Sequence, residues 1–333
     1  MIMTTNKSIP ARRAAWLLGL ALFCLPGQAV FAQEYPTKPI RLIVGFTPGG
    51  SNDIVARIVA PTLSDILGVQ VIVENRPGAN AMIGTEYVAR SVPDGYTLTL
   101  GSISPLILSP QVYKSTTYDT RLDFIGITSV AMTPQVIVTS PKLPVQSLTD
   151  LVELAKKQPG ILNIASSGTG SNSHVAIELF KLTANINVSH VPYKGTAPAL
   201  MDVIGGQVDG AFGDLPGALS QISTGKMSVL AVTSEKRHPL IPNVATTSEQ
   251  GFSQLLAVNW FAVMAPAKTP IAIVDKLHAA LTQAIATPTV TERFRTLGLE
   301  AMPSASPEAF KAFLQTEYTR WGSVIQAASI RLE

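Results

Sequence analysis

Apolar runs alternate with amphipathic segments along the first third of this chain. Residues 40–46 are almost entirely apolar, as is typical of a strand buried on both faces. The next segment ends at Gly68 and carries apolar residues at helical spacing, namely Ile54, Val55, Ile58, Val59, Leu63, Ile66 and Leu67. Short strands are predicted at 70–74 and 96–100, with a helix at 85–91 between them. This alternation predicts a doubly wound α/β sheet.

Two long β-rich stretches, at 123–138 and 257–265, are predicted to cross between two lobes. The segment between them contains predicted strands at 188–192, 208–212 and 229–233, and predicted helices at 147–158 and 197–204. Three helices are predicted after the second crossing, at 270–286, 288–297 and 307–327. A chain that crosses twice builds one lobe from both of its ends. We therefore expect a first lobe of residues 33–135 and 256–333 and a second lobe of residues 136–255.

Two segments share one plan, in which an apolar strand leads through a glycine turn into an amphipathic helix. The first turn, at 48–53, reads Pro-Gly-Gly-Ser-Asn-Asp, and the second, at 168–173, reads Gly-Thr-Gly-Ser-Asn-Ser. Glycine lets ligand atoms approach the main chain, and a helix N-terminus carries about half a positive charge. Each turn therefore predicts an anion-binding site. Two such turns facing each other across a cleft predict a protein that clamps a small acid.

Residues 1–32 have the features of a signal peptide. Lys7, Arg12 and Arg13 precede an apolar stretch at 14–25, and a small-residue cleavage site ends at Ala32. Twelve apolar residues are too few to span a bilayer, which needs about 20. The sequence therefore predicts export to the periplasm with cleavage near Ala32.

Cleavage would also change the charge of the protein. It would remove three of the 25 basic residues, which leaves 22 basic against 22 acidic residues. It would also remove Cys24, the only cysteine. A neutral chain does not favour nucleic-acid binding. Without cysteine, thiolate zinc sites and cysteine catalysis are excluded.

The remaining motif tests argue against cofactors, metals and catalysis. The second turn lacks the third small residue of a dinucleotide fingerprint, and no Gly-Lys-Ser/Thr follows either turn. Neither Ser167 nor Ser171 lies in a Gly-x-Ser-x-Gly nucleophile elbow. The histidines share no metal-ligand spacing. We expect no cofactor, no metal and no enzymatic activity, with an exported α/β hydrolase as the alternative.

Three titratable residues near the turns each allow two interpretations. His174 either donates to a bound carboxylate or is a packed or capping histidine. Asp53 is either a ligand-site acid or a helix N-cap or first-turn acid stabilised by the helix dipole. Asp214, after the strand at 208–212, either meets a ligand ammonium or hydroxyl or caps a helix.

Ordered motifs along the chain resemble the Bug family, the TctC-like periplasmic receptors of tripartite tricarboxylate transporters. They are PIRLIVGFTPGG at 39–50, VENRPG at 73–78, PDGYTLTL at 93–100, the second turn with His174, HVPYKG at 190–195 and AVTS at 231–234. The resemblance covers essentially all of residues 33–333. Thr47 stands where the family more often has proline, and Pro61 interrupts the first helix.

The resemblance implies a periplasmic-binding-protein type II fold, with two doubly wound lobes joined by two crossover strands. It implies a monomer that captures a small mono-, di- or tricarboxylate, including aromatic and amino acids, and delivers it to inner-membrane transporter subunits. A ligand sensor that signals to a membrane kinase is the alternative within the binding class.

The predicted ligand-binding residues come from both turns and from the strand ends beside them. They are Phe46, Gly49, Gly50, Ser51, Asp53, Ser102, Ser104, Ser167, Gly168, Thr169, Gly170, Ser171, His174 and Asp214.

Overall fold

The computed structural model describes residues 1–4 and 35–332. The chain divides into two units, Met1–Tyr35 and Pro36–Glu333. Most of the predicted signal peptide therefore lies outside the described residues. None of the described helices is long and apolar enough to cross a membrane.

The second unit alternates strands and helices. The strands are β1 (Ile40–Val44), β2 (Val71–Asn75), β3 (Thr97–Ser102), β4 (Phe124–Thr139), β5 (Asn163–Ser166), β6 (Ser189–Pro192), β7 (Gly210–Asp214), β8 (Ser228–Val232), β9 (Val258–Pro266) and β10 (Glu300–Ala301). The α-helices are α1 (Ser51–Leu67), α2 (Met82–Ala89), α3 (Ser109–Val112), α4 (Thr120–Asp123), α5 (Leu148–Lys157), α6 (Asn172–Ala184), α7 (Thr196–Gly205), α8 (Leu215–Ser223), α9 (Ile271–Ile285), α10 (Pro288–Thr296) and α11 (Pro307–Ala327). A π-helical turn, Ser104–Leu108, precedes α3.

The sheet order is β2-β1-β3-β9-β4-β7-β5-β6, with β10 and β8 also paired to β4. At one end β2, β1 and β3 are parallel, and at the other end β6, β5 and β7 are parallel. Each parallel set is connected through helices, as right-handed β-α-β units require. The predicted α/β fold with two wound halves is confirmed.

The long strand β4 belongs to both halves of the sheet. Its first part pairs antiparallel with β9, from Phe124 opposite Pro266 to Pro134 opposite Val258. Its last part pairs antiparallel with β7, from Gln135 opposite Asp214 onward. The two long β-rich stretches of the sequence are therefore the strands that join the halves.

The structure contains elements that the sequence pattern did not predict: the π-helical turn, α3, α4, α8 and β10. Residues 104–108 are buried throughout. A helical segment that is buried all round has no polar face, so it shows no amphipathic period. The third strand also runs past its predicted end, because Gly101 pairs with Ala262 of β9.

The C-terminal helix α11 is fastened to β9 by one buried carboxylate. Glu317 accepts hydrogen bonds from the indole N–H of Trp260 at 2.9 Å and from that of Trp321 at 3.2 Å. Both indoles are fully buried, and Glu317 is only 6% exposed. The ring of Trp260 also meets Phe313 of α11 edge to face, 5.3 Å between centroids. A strand that joins the halves is thus held by an element from the end of the chain.

We expect Glu317→Ala to lower the free energy of unfolding by about 2–4 kcal/mol, because it leaves two buried indole N–H groups without an acceptor. Urea denaturation measures the change. Glu317→Gln is the matched control, since its amide oxygen can take the place of Oε2, which accepts both bonds, and its free energy of unfolding should fall clearly less. Equal losses for the two variants would show that the acceptor is not what matters.

Candidate functional site

The two glycine turns line one cavity of ≈ 880 Å³. The first turn contributes residues 45–47 and 50–52, and the second contributes residues 167–169 and 171–173. Segments 77–82 and 193–196 also line the cavity. The wall is completed by Ser102, Ser104, Tyr113, Ser115, Asp214 and Asn259. The two turns that were expected to face each other therefore line the same cavity in the structure.

The first turn leads from β1 into α1. Gly50 precedes the helix in an extended conformation, and no side chain caps the helix start. Gly49 has φ +86°, a value that favours glycine. The uncapped start of α1 presents main-chain N–H groups, and with them positive dipole charge, at the cavity wall.

Asp53 lies behind this turn and is engaged within the protein. Its carboxylate accepts the Gly49 N–H at 2.9 Å and the Asn75 amide at 2.9 Å, and pairs with Arg57 at 2.9 Å. Burial acts to raise the pKa of Asp53, but these hydrogen bonds outweigh it and hold the pKa below its usual value. Asp53 therefore shapes the turn from within the first turn of α1.

The second turn repeats this device with a different side chain. The Gly170 N–H donates to Nδ1 of His174 at 3.0 Å, again four residues further on and in the first turn of the helix. Ser171 precedes α6; its hydroxyl accepts the His174 N–H and donates to the Gly168 carbonyl at 2.6 Å. In both turns a glycine N–H thus donates to a side chain in the first turn of the helix that follows.

His174 stacks on His190 behind the second turn, with 4.0 Å between ring centroids. Nε2 of His190 lies 2.6 Å from the Ser166 hydroxyl. Burial lowers the pKa of His174, and it lowers that of His190 to about 3, with the neighbouring His174 contributing. Both rings are therefore neutral near pH 7, which is the form in which Nδ1 of His174 accepts a hydrogen bond.

Three hydrogen bonds join the second turn to the opposite wall. The Tyr113 hydroxyl donates to the Thr169 carbonyl at 2.7 Å, and the Asn80 amide donates to the Gly170 carbonyl at 3.1 Å. The Asn172 N–H, at the start of α6, donates to the Ser104 hydroxyl at 3.1 Å. These contacts span the cavity between the two halves of the sheet.

Asn80 lies in a strained stretch of backbone. Ala79, Asn80 and Ala81 have φ values of 46°, 51° and 71°. Each non-glycine residue in this region costs about 1–2 kcal/mol. Such strain collects at functional sites. The neighbouring Gly45 is required because a Cβ there would lie 2.5 Å from Cβ of Ala81.

Ten of the predicted site residues line the cavity: Phe46, Gly50, Ser51, Ser102, Ser104, Ser167, Gly168, Thr169, Ser171 and Asp214. The other four, Gly49, Asp53, Gly170 and His174, are not among its lining residues. They pair with one another behind the turns, which explains why their polar atoms do not face the cavity.

Asp214 directly precedes α8, but its side chain makes no capping hydrogen bond. It accepts instead from the Asn259 amide at 2.8 Å. Burial raises the pKa of Asp214 to about 6, against the effect of hydrogen bonds from Asn259 and Ser51.

The asparagines of the two turns are lining residues that the sequence reasoning missed. Asn52 and Asn172 are 6% and 3% exposed. Nδ2 of Asn52 and both amide atoms of Asn172 have no hydrogen-bond partner among the described residues. The signal was present, because the pair Ser-Asn follows the glycines in both turns. Asn80 and Tyr113 gave no such signal.

Comparison with known proteins decides the family. A family model described as "Tripartite tricarboxylate transporter family receptor" matches residues 55–330. This chain belongs to that receptor family. The receptors of this family are periplasmic substrate-binding proteins and not enzymes.

Relatives of this receptor align along nearly its whole length. Protein BugT of Bordetella pertussis is 38% identical over 305 residues, covering 91% of this chain and 93% of that protein. A solved structure of an R. palustris protein with adipate has a TM-score of 0.83 and 33% identity, covering 90% of this chain and 99% of that one. MatC from Rhodopseudomonas palustris with bound malate has a TM-score of 0.80 and 28% identity, covering 87% of this chain and 100% of that one. These structures have the two-lobed fold expected from the sequence.

No group of three or more His, Cys, Asp or Glu side chains is placed to hold a metal ion among the described residues of this receptor.

The stacked histidines should make the stability of the receptor depend on pH. Because the folded-state pKa values of both lie below the unfolded value of about 6.5, their contribution is complete above pH 6.5 and is lost as pH falls below it. Asp214 acts in the opposite sense between about pH 6 and 4, since its folded-state pKa is raised. Comparing the pH dependence of the free energy of unfolding in the wild type and in His190→Gln isolates the contribution of His190.

We expect the free energy of unfolding to fall by about 1 kcal/mol more in the wild type than in His190→Gln when the pH is lowered from 6.5 to 5. Urea denaturation at constant ionic strength measures this difference. One fully shielded histidine could supply at most about 1.4 kcal/mol per pH unit, and partial solvent exposure of His190 reduces this. Parallel stability curves for the two proteins would contradict this account.

Proposed function

We propose that this receptor captures a small carboxylate between its two glycine turns and delivers it to an inner-membrane tripartite transporter. The observation that carries the proposal is the convergence of two glycine turns and two helix starts on one cavity. The adipate and malate in the solved structures of relatives support a carboxylate as ligand. In this proposal residues 33–135 and 256–333 form one lobe and residues 136–255 form the other.

The cavity wall is rich in groups that favour an anion. The uncapped start of α1 and the hydroxyls of Ser102 and Ser167 provide donors. A micromolar ligand requires about −8 kcal/mol. A hydrogen bond to a charged group contributes roughly 1.5–3 kcal/mol. Four or five such bonds and a helix end can therefore offset the cost of association without an arginine.

Ligand capture would also favour closure of the two lobes. The contacts of Tyr113, Asn80 and Ser104 with the second turn exist only when the two walls are close. A ligand that touches both turns binds the closed state more tightly than the open state and so raises its population. We propose that the transporter subunits recognise this closed monomer.

The proposal predicts that carboxylates raise the melting temperature of mature receptor, because a ligand that binds only the folded state stabilises it. A panel of aliphatic, hydroxy, amino and aromatic acids, including adipate and malate, is screened by thermal shift, and dissociation constants follow by calorimetry. Neutral amides of the same acids are the ligand control. A panel in which no carboxylate shifts the melting temperature would contradict the proposal.

A matched pair of variants tests the second turn. Asn172→Asp keeps the side-chain shape, and a helix start tolerates an acid, so the fold should be retained. The new charge lies in the cavity wall and should weaken carboxylate binding about 10²-fold, as expected for like charges roughly 5 Å apart at an effective dielectric constant of about 20. Asn187→Asp makes the same change at an exposed position and should bind as the wild type does. Unchanged affinity in Asn172→Asp would place the anion elsewhere.

Export is a separate part of the proposal. We expect the full-length chain, expressed in a Gram-negative host, to be recovered from the periplasm with Gln33 as its first residue, as N-terminal sequencing would show. Arg12→Glu with Arg13→Glu should retain the precursor in the cytoplasm, because these residues form the basic region of the signal. Recovery of an uncleaved chain in the membrane fraction would indicate an anchor instead.

A further inference from the structure

A carboxylate and an amide lie side by side in the wall of the cavity, where the joining strands meet. Gln135 of β4 is opposite Asp214, and Thr133 of β4 is opposite Asn259. Directly opposed residues share a face of a sheet, and so do residues two apart on one strand. Asp214 and Asn259 are therefore held on the same face by the sheet register. Both line the cavity.

The hydrogen bond between them fixes the orientation of the amide. An ionised carboxylate only accepts hydrogen bonds, so the Asn259 NH₂ group must donate to Asp214 Oδ2, over 2.8 Å. The amide oxygen is then left pointing away from Asp214. This oxygen has no hydrogen-bond partner among the described residues, although Asn259 is only 6% exposed. The wall thus presents a carboxylate that is held by an amide whose own oxygen is buried and unpartnered.

The charge of Asp214 is not balanced by a neighbouring cation. Among the described residues Asp214 is in no ion pair within 4.0 Å, unlike Asp53, which pairs with Arg57. The lining contains a single lysine, Lys194, whose side chain is exposed. Ser51 and Asn259 supply hydrogen bonds to Asp214 but no charge. A half-buried carboxylate in this setting favours a cationic partner.

We propose that Asp214 and Asn259 form an ammonium subsite, so that the ligand of this receptor is a zwitterionic amino acid. Its carboxylate lies at the glycine turns, and its ammonium donates to the Asp214 carboxylate, which the Asn259 amide orients. The inference rests on the proposed carboxylate capture and adds the second half of the ligand.

Other small acids fit this part of the wall less well. A second carboxylate would face the charge of Asp214, and a hydroxyl would donate one proton but leave that charge unbalanced. An ammonium has three donors and the opposite charge. The raised pKa of Asp214, about 6, leaves the carboxyl ionised at neutral pH, as the ammonium requires.

The test compares amino acids with their counterparts that lack the amino group, using calorimetry on mature receptor at pH 7.5. The pairs are alanine and propanoate, aspartate and succinate, glutamate and glutarate, 4-aminobutanoate and butanoate, and 6-aminohexanoate and hexanoate. Malate is included as the hydroxy counterpart of aspartate. In at least one pair we expect the amino acid to bind about 30-fold more tightly or better, as for a buried charge pair.

Asp214→Asn should remove this preference, because it should weaken binding of the amino acid and leave binding of its counterpart unchanged or stronger. Asp65→Asn, the same change at an exposed position of α1, should keep the preference. If Asp214→Asn does not fold, Asp214→Ser takes its place. Circular dichroism of the unliganded proteins verifies the fold.

The outcomes separate this inference from the one on which it rests. Equal or tighter binding of the acids without an amino group, tighter binding of malate than of aspartate, or a preference that survives Asp214→Asn would each overturn the ammonium subsite while carboxylate capture stands. If no member of any pair binds, carboxylate capture itself fails, and the subsite fails with it.

Discussion

The whole site depends on one strand that belongs to both halves of the sheet. β4 pairs with β9 over its first part and with β7 and β8 over its last part. Because the register of β4 is fixed by pairing on both sides, the ends of strands from different halves are brought to the same cavity. The Trp260–Glu317–Trp321 contact adds the end of the chain to this arrangement. A change in register along β4 would move both walls relative to each other.

The two turns illustrate how a protein prepares a main-chain binding site. In each turn one glycine N–H is held by a side chain four residues further on, Asp53 in one case and His174 in the other. An aspartate and a neutral histidine are chemically different, but both offer an acceptor at the same place. The geometry of the turn is fixed in this way before a ligand arrives, which reduces the ordering cost of binding. The uncapped start of α1 remains available for the ligand, whereas at the start of α6 the Asn172 N–H donates to Ser104 and the His174 N–H donates to Ser171.

The charges around the cavity are arranged in two layers. The Asp53–Arg57 pair and the stacked neutral histidines lie behind the turns, where they support the backbone. Asp214 lies in the wall itself and has no cation beside it among the described residues. The supporting charges are thus satisfied within the protein, whereas the proposed ammonium of the ligand would balance the charge of Asp214.

The sequence by itself determined the elements whose signals are local. The apolar run at 40–46 contains β1, and the amphipathic segment ending at Gly68 is α1. Each glycine turn leads into a helix whose start carries the Ser-Asn pair. Backbone propensity and hydrophobic period act over a few residues, so a short window of sequence contains them.

Only the tertiary structure decided which polar groups face the cavity. Asp53 is turned inward partly by Asn75, 22 residues away, and His174 is stacked on His190 from the neighbouring strand. Asn259 and Tyr113 reach the cavity from β9 and from the end of α3, and Asn259 meets Asp214 across 45 residues of chain. The direction of a polar side chain is set by the partner that satisfies it, and here those partners come from distant segments. No local pattern of residues could have contained that information.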